Sequence, residues 1–408
     1  TGDSNVAVGF DAGRALQTAS NNVYLGFEAG ELGTAGQGNV ALGYRALRNH
    51  GNDGGDSQNT AVGNTAGINI TSGGLNSLFG SIAGDALTTG SRNTVFGYGA
   101  LSAENTGSYN VAIGYSALAA QDSDDTYNAA VGYEAGKAIT TGPYNTIVGS
   151  KSGDALTTGD SNTVLGYNAL STEDTGDKNT AIGYEALTAL NYDGSGYNTA
   201  VGFEAGHDIS TGRYNTIVGA LTGDKITTGD SNMLFGYSAG GAITEGVRNV
   251  AIGGAALSTA TTQNYNVAVG HGALGSAASG ENVAIGYNAG AQTSTTGANV
   301  YVGYQAGAAN TTGLNVAIGQ NALLSNTTGT SNVAIGTKAM DANVAGDNNV
   351  AVGGGALSSM NPSGNVDMYN VAVGYQASAL CTVGIKNVSI GGDALYTDDT
   401  GSGSVAVG

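Results

Sequence analysis

A pentapeptide decides what this chain can fold into. It first occurs as Asn5-Val6-Ala7-Val8-Gly9 and last as Ser404-Val405-Ala406-Val407-Gly408. In all there are 24 copies, and each ends in Gly. Of the 23 spacings between copies, 17 are 17 residues long and the others run from 16 to 21. A unit this short cannot bury a core alone, so neighbouring units have to stack. Because every copy reads as a strand, the expected class is all-β. The expected architecture is a parallel β-solenoid, or β-roll, of about 24 coils, a single continuous array over residues 1–408.

Composition agrees with a thin, strand-built core. Charged residues are 11% of the chain and apolar residues 40%, which is not the composition of a disordered chain. Gly accounts for 71 residues and Pro for 2. The net charge of −19 disfavours phosphate backbones and anionic lipid, so no nucleic acid partner is expected. Cys381 is the only cysteine, which excludes an internal disulfide framework. No apolar run approaches the ~20 residues of a membrane span, so no membrane insertion is expected within this segment. The repeat runs to both ends, and the expectation is a segment of a longer fibre.

Strand alternation assigns the faces of each coil. In the coil beginning at Asn179, Thr180 and Ile182 are expected to face inward and Ala181 outward. The outward row is also apolar (Ala7, Leu78, Val95, Ile147, Val164, Ile217, Leu234). A strand apolar on both faces is expected to be covered on both, here by other copies of the chain in a homotrimer or homopolymer. The ladder residues Asn5, Asn110, Asn179 and Asn249 are expected to bond up and down as stacked amides. Gly9, Gly114, Gly183 and Gly253 suit positive φ, or a corner where a Cβ would clash. Ala holds the third place after the Gly in 21 of 23 copies, implying a tight corner or a close approach between chains. Tyr or Phe often follows the Gly, predicting an aromatic column that is a glycan platform if it faces solvent and packing if it does not.

A longer period overlies the coil. Asn76 to Asn145 and Asn145 to Asn215 are 69 and 70 residues, four coils each, and this super-repeat is clearest in residues 5–265. The first coil of each block replaces the aromatic by Ser81, Ser150 or Ala220, and carries bulky Leu78, Ile147 or Ile217 instead. Insertions fall after Arg48, Ala120, Leu190 and Met360, always in the turn before the next Asn.

The strand Asn-Val-Ala-Ile-Gly resembles the head repeats of YadA-type trimeric autotransporter adhesins. The 17-residue form, as in Asn179-Thr180-Ala181-Ile182-Gly183-Tyr184-Glu185-Ala186-Leu187, is similar to repeats of phage tail fibres and large bacterial surface proteins. The resemblance covers the whole chain. It implies a left-handed parallel β-roll assembled as a trimer, extracellular, on a bacterial cell surface or a phage virion. The adhesin head repeat is shorter, and the chain shows no heptad stalk, membrane anchor or fibre-chaperone domain, so either group can own it.

Catalytic chemistry finds little support. His50, His207 and His271 occupy non-equivalent places, and no His-Glu-x-x-His, Cys-x-x-Cys or Gly-Lys-Ser/Thr phosphate loop is present. The irregular loops are the better candidates for binding, through Asp53, Asp56, Asp124, Tyr192 and Asp193. Asp122, Asp124 and Asp125 are the candidate calcium ligands, and no other cofactor is expected. A carboxylate pair in these loops would serve a glycan-degrading tailspike; the plainer reading is solvated turns that tolerate insertion. The expected function is a non-enzymatic fibre protein, head or shaft, that attaches to a host-surface glycan or protein. The alternatives are a filament joined end to end and a tailspike.

Overall fold

The computed structural model describes residues 2–51, 57–293 and 297–408, and the chain is an all-β parallel β-solenoid. It comprises two compact units, Thr1–Glu204 and Ala205–Gly408, and each contributes 12 strands of three residues. Within a unit, each strand pairs in parallel with the equivalent strand one coil away. Identical positions meet, as in Thr163↔Thr180, Val164↔Ala181 and Leu165↔Ile182. Coil-to-coil bonds continue past the strands, for example Gly13 N–H to Ala29 O at 2.9 Å and Gly30 N–H to Ala46 O at 3.0 Å.

The faces of the strand are the reverse of the sequence expectation. The middle strand residue points into the coil: Leu78, Val95, Ala112, Ile147, Ala181, Ile217 and Leu234 are fully buried. The flanking residues, such as Thr180 and Ile182, face outward and are partly exposed. The ladder Asn fixes this parity. Its side chain is buried, and strand alternation then sends the residue two places later to the same side. Ala fills this inside position in many coils, and Val, Ile, Leu or Tyr fills it in others.

The recurrent Ala is likewise an interior corner residue, not a contact between chains: Ala46, Ala117 and Ala186 are completely buried. The place after it completes the core. Tyr24, Leu78, Ile147, Ile217 and Tyr301 sit in coils with Gly30, Gly84, Gly153, Gly223 and Gly307 at that place, whereas Ala41, Ala112 and Ala181 accompany Leu47, Leu118 and Leu187. A Cβ on Gly307 would lie 2.3 Å from the Tyr301 ring. In these coils volume is exchanged between two interior sites, whereas Val95 with Leu101 and Val164 with Leu170 carry bulk at both. A further interior place holds Ile70, Leu87 or Leu156 in some coils and polar Glu104, Gln121, Glu173, Asn310, Asn326 or Asn343 in others.

The Asn ladder bonds mainly to backbone. Asn162 accepts from the Asn179 N–H at 2.9 Å through Oδ1 and donates through Nδ2 to Gly176 O at 2.9 Å, while its own N–H reaches Asn145 Oδ1 at 2.9 Å. Direct amide-to-amide bonds also occur, at 3.2 Å for Asn162 to Asn145 and 2.9 Å for Asn299 to Asn282. The strand-ending Gly stands where predicted: Gly183 has φ +141°, and a Cβ there would fall 2.1 Å from Gly202 O.

Candidate functional site

Two surface features depart from generic turn chemistry: the outward strand face with its aromatic borders, and the inserted loops. The outward face follows from the parity above. The residue before each Gly is Val, Ile, Leu or Phe in all 24 copies, and it lies on the outside, with Phe96 58% and Leu165 46% exposed. Water-exposed apolar rows of this regularity mark an interaction surface.

The column after the Gly forms as expected and faces solvent. Phe10, Phe27 and Tyr44 stack with centroids 5.2 and 5.4 Å apart, as do Tyr98, Tyr115 and Tyr133 at 5.5 and 5.4 Å. Tyr167, Tyr184 and Phe203 repeat the arrangement at 5.4 and 5.2 Å. Stacked rings cover one another's faces, so the column presents edges and hydroxyls to solvent. Sequence reasoning missed a second column at the other border, formed by the residue preceding the Asn. Tyr109, Tyr127 and Tyr144 stack there at 5.0 and 5.7 Å. The Tyr-Asn dipeptide recurring at the period was the signal that could have revealed it.

Cations gather on this second column. Arg92 donates to the Tyr109 hydroxyl at 3.0 Å and lies over its ring at 5.3 Å. Arg248 repeats this on Tyr265, at 2.8 and 5.6 Å, and Lys178 lies 5.5 Å from the Tyr197 ring centroid. Several other cations pair with acids, as Arg45 and Arg48 do with Glu28 at 2.7 and 3.0 Å. That contact, foremost the Arg45 hydrogen bond, holds the Glu28 carboxyl below its ordinary range.

Two of the inserted loops are tied down by buried acids. Glu104, in the coil before the loop after Ala120, accepts from Gly107 N–H at 2.6 Å and from Gln121 Nε2 at 2.9 Å. Glu173 stands equivalently before the loop after Leu190, accepting from Gly176 N–H at 2.8 Å and Tyr192 N–H at 3.2 Å. Burial pushes both carboxyls above the usual glutamate range, outweighing the N–H donors that favour the anion. The repeated Glu-x-Thr-Gly, read beside the insertion that follows it, was the sequence sign. Inserted loops also break the ladder locally: Asn110 Nδ2 and Asn179 Nδ2 find no acceptor among the described residues.

The loop candidates fall into simpler roles. Asp124 and Asp193 are exposed and accept from Thr106 Oγ1 at 3.0 Å and Thr175 Oγ1 at 2.7 Å, the same clasp in both loops. Tyr192 is half-buried beside Asp193, and its backbone anchors the loop to Glu173. Asp122 and Asp125 are exposed. Among the described residues no group of three or more His, Cys, Asp or Glu is arranged to hold a metal ion, so Asp122, Asp124 and Asp125 do not converge. Asp53 and Asp56 lie outside the described residues. The loop after Met360 instead forms a separate two-stranded parallel sheet, Val366–Asp367 with Gly346–Asp347. No protein-family model and no curated protein matches the sequence.

Proposed function

We propose that this chain is a non-enzymatic fibre protein, the head or shaft of an extracellular or virion fibre, which acts as a homotrimer to project and attach. The observation that carries the reading is the outward apolar row, present in every coil and left uncovered by the chain itself. Each such side chain contributes ~1.5–3 kcal/mol when fully buried, so even partial cover by neighbouring chains accumulates over 24 coils to a stable assembly. The same repetition multiplies weak surface contacts into useful avidity. A carrier of this kind needs rigidity and regular display, which a ladder supplies without catalytic machinery.

Mass photometry of the purified chain tests the assembly. The expected particle has three chains, three times 40.0 kDa or about 120 kDa. Single chains of 40.0 kDa would overturn the trimer, and indefinite filaments in negative-stain images would favour end-to-end polymerisation. Release of reducing sugar from a host polysaccharide, lost on Asp124→Asn with Asp125→Asn, would favour the tailspike.

A further inference from the structure

The column preceding the ladder Asn carries one arrangement twice. On successive coils of the first unit it reads Tyr144, Ser161, Lys178, Tyr197, and in the second unit Tyr214, Ser231, Arg248, Tyr265. In each, a small Ser stands where a ring is missing, between a tyrosine on one side and a cation resting on another tyrosine. In the second unit this leaves a hollow of about 270 Å³ lined by Arg213, Tyr214, Asp230, Ser231, Val247 and Arg248. That is below the roughly 300–1,000 Å³ of drug-sized sites, so it accommodates a single ring.

The charges are arranged unevenly. Asp230 accepts from the Arg213 N–H at 2.7 Å and lies 3.7 Å from its guanidinium, so these two largely offset each other. Arg248 has no ion pair among the described residues, although acids outnumber Lys and Arg by 31 to 12. Of the five guanidinium N–H donors, one goes to the Tyr265 hydroxyl, and Tyr265 fixes the plane of the group from beneath. Lys178 is held similarly, by the Tyr197 ring and by a 2.9 Å bond to Ser195 Oγ, with no ion pair among the described residues. A half-exposed ring beside a positioned cation matches a ligand that carries a ring and a carboxylate on one residue.

We infer that the Tyr-Ser-cation slots at Tyr144–Ser161–Lys178 and Tyr214–Ser231–Arg248 each bind a carboxylated sugar ring of an acidic polysaccharide. The ring lies over Ser161 or Ser231 against the tyrosine, and the carboxylate meets Lys178 or the Arg248 fork. At 0.15 M salt the Debye length is about 8 Å, so the negative charge on distant coils is largely screened and the groups lining the slot decide approach. Two slots per chain make the binding multivalent. The inference rests on the attachment reading above and names its ligand class.

The test uses the full chain, polygalacturonate immobilised on a biosensor, its carboxyl-reduced form as the neutral control, and about 0.15 M salt. Wild type is expected to bind polygalacturonate and not the reduced polymer. Lys178→Gln with Arg248→Gln is expected to raise the dissociation constant at least tenfold with an unchanged circular dichroism spectrum, and Arg248→Lys to retain part of the affinity. Equal binding by the double variant, or equal binding of the reduced polymer, overturns the slots. Wild type that ignores polygalacturonate yet adheres to bacterial cells also overturns them while leaving attachment standing. Absence of binding to either surface sinks both.

Discussion

Asn162→Ala probes the ladder where it is intact. Asn162 is buried, and its removal strands the Asn179 N–H and the Gly176 carbonyl, whose bonds of 2.9 Å each have no substitute nearby. An orphaned buried group costs about 1–3 kcal/mol, so the two together cost about 2–6 kcal/mol. In a solenoid this loss falls on one coil and its neighbours rather than on the whole chain. The assay is native-state hydrogen exchange: the Asn179 amide should exchange about 30-fold to 10⁴-fold faster, with distant coils of the first unit unchanged. Asn179→Ala supplies the internal control. Its Nδ2 already lacks an acceptor, so only the 3.1 Å bond from the Asn198 N–H is lost, and the effect should be about half as large in free energy. Equal exchange at Asn179 in wild type and Asn162→Ala, or a larger effect from Asn179→Ala, would refute the view that the side-chain-to-backbone bonds hold the coils together.

Other consequences can be measured independently. Gly307→Leu should destabilise the second unit by several kcal/mol, on the order of an overpacked core, and Tyr301→Ala in the same chain should restore most of it, because Ala with Leu is the pairing used at Ala317 and Leu323; urea unfolding of the two single variants and the double variant checks this, and strict additivity would be the contrary result. Glu104 and Glu173 hold their protons more tightly when folded than when unfolded, so stability should fall as pH rises from the ordinary glutamate value through the raised folded value and stay level outside that window. Melting temperatures across pH 3.5 to 8 should show this slope flattened in Glu104→Gln with Glu173→Gln, and an unchanged slope would assign it elsewhere. Phe96→Asp with Leu165→Asp, both on the outward row, should dissociate the assembly without unfolding the coil, read as a shift in particle mass at constant circular dichroism.

The sequence by itself determined the period, the parallel stacking of identical positions, and the places of insertion. A 17-residue repeat with one strand per copy admits few other structures, and a Gly in every copy marks a backbone that passes too close to the next coil for a Cβ. The columns after the Gly were legible for the same reason, since stacking equal positions stacks equal side chains. What only the tertiary structure decided was which face is inside. Hydrophobicity pointed to Thr180 and Ile182, but both strand faces are apolar, so pattern alone does not choose between them. The buried ladder Asn chooses: strand alternation puts the residue two places after it on the same side, so Ala181 lies inside with Asn179, as Val95, Ile147 and Leu234 do in their coils. The loop anchors were hidden for a related reason. Glu104 and Glu173 look like ordinary turn acids in one dimension, and only the stacking of the next coil buries them beneath the loop they hold. Spacing along the chain fixed the ladder, and the burial of its Asn fixed what faces the world.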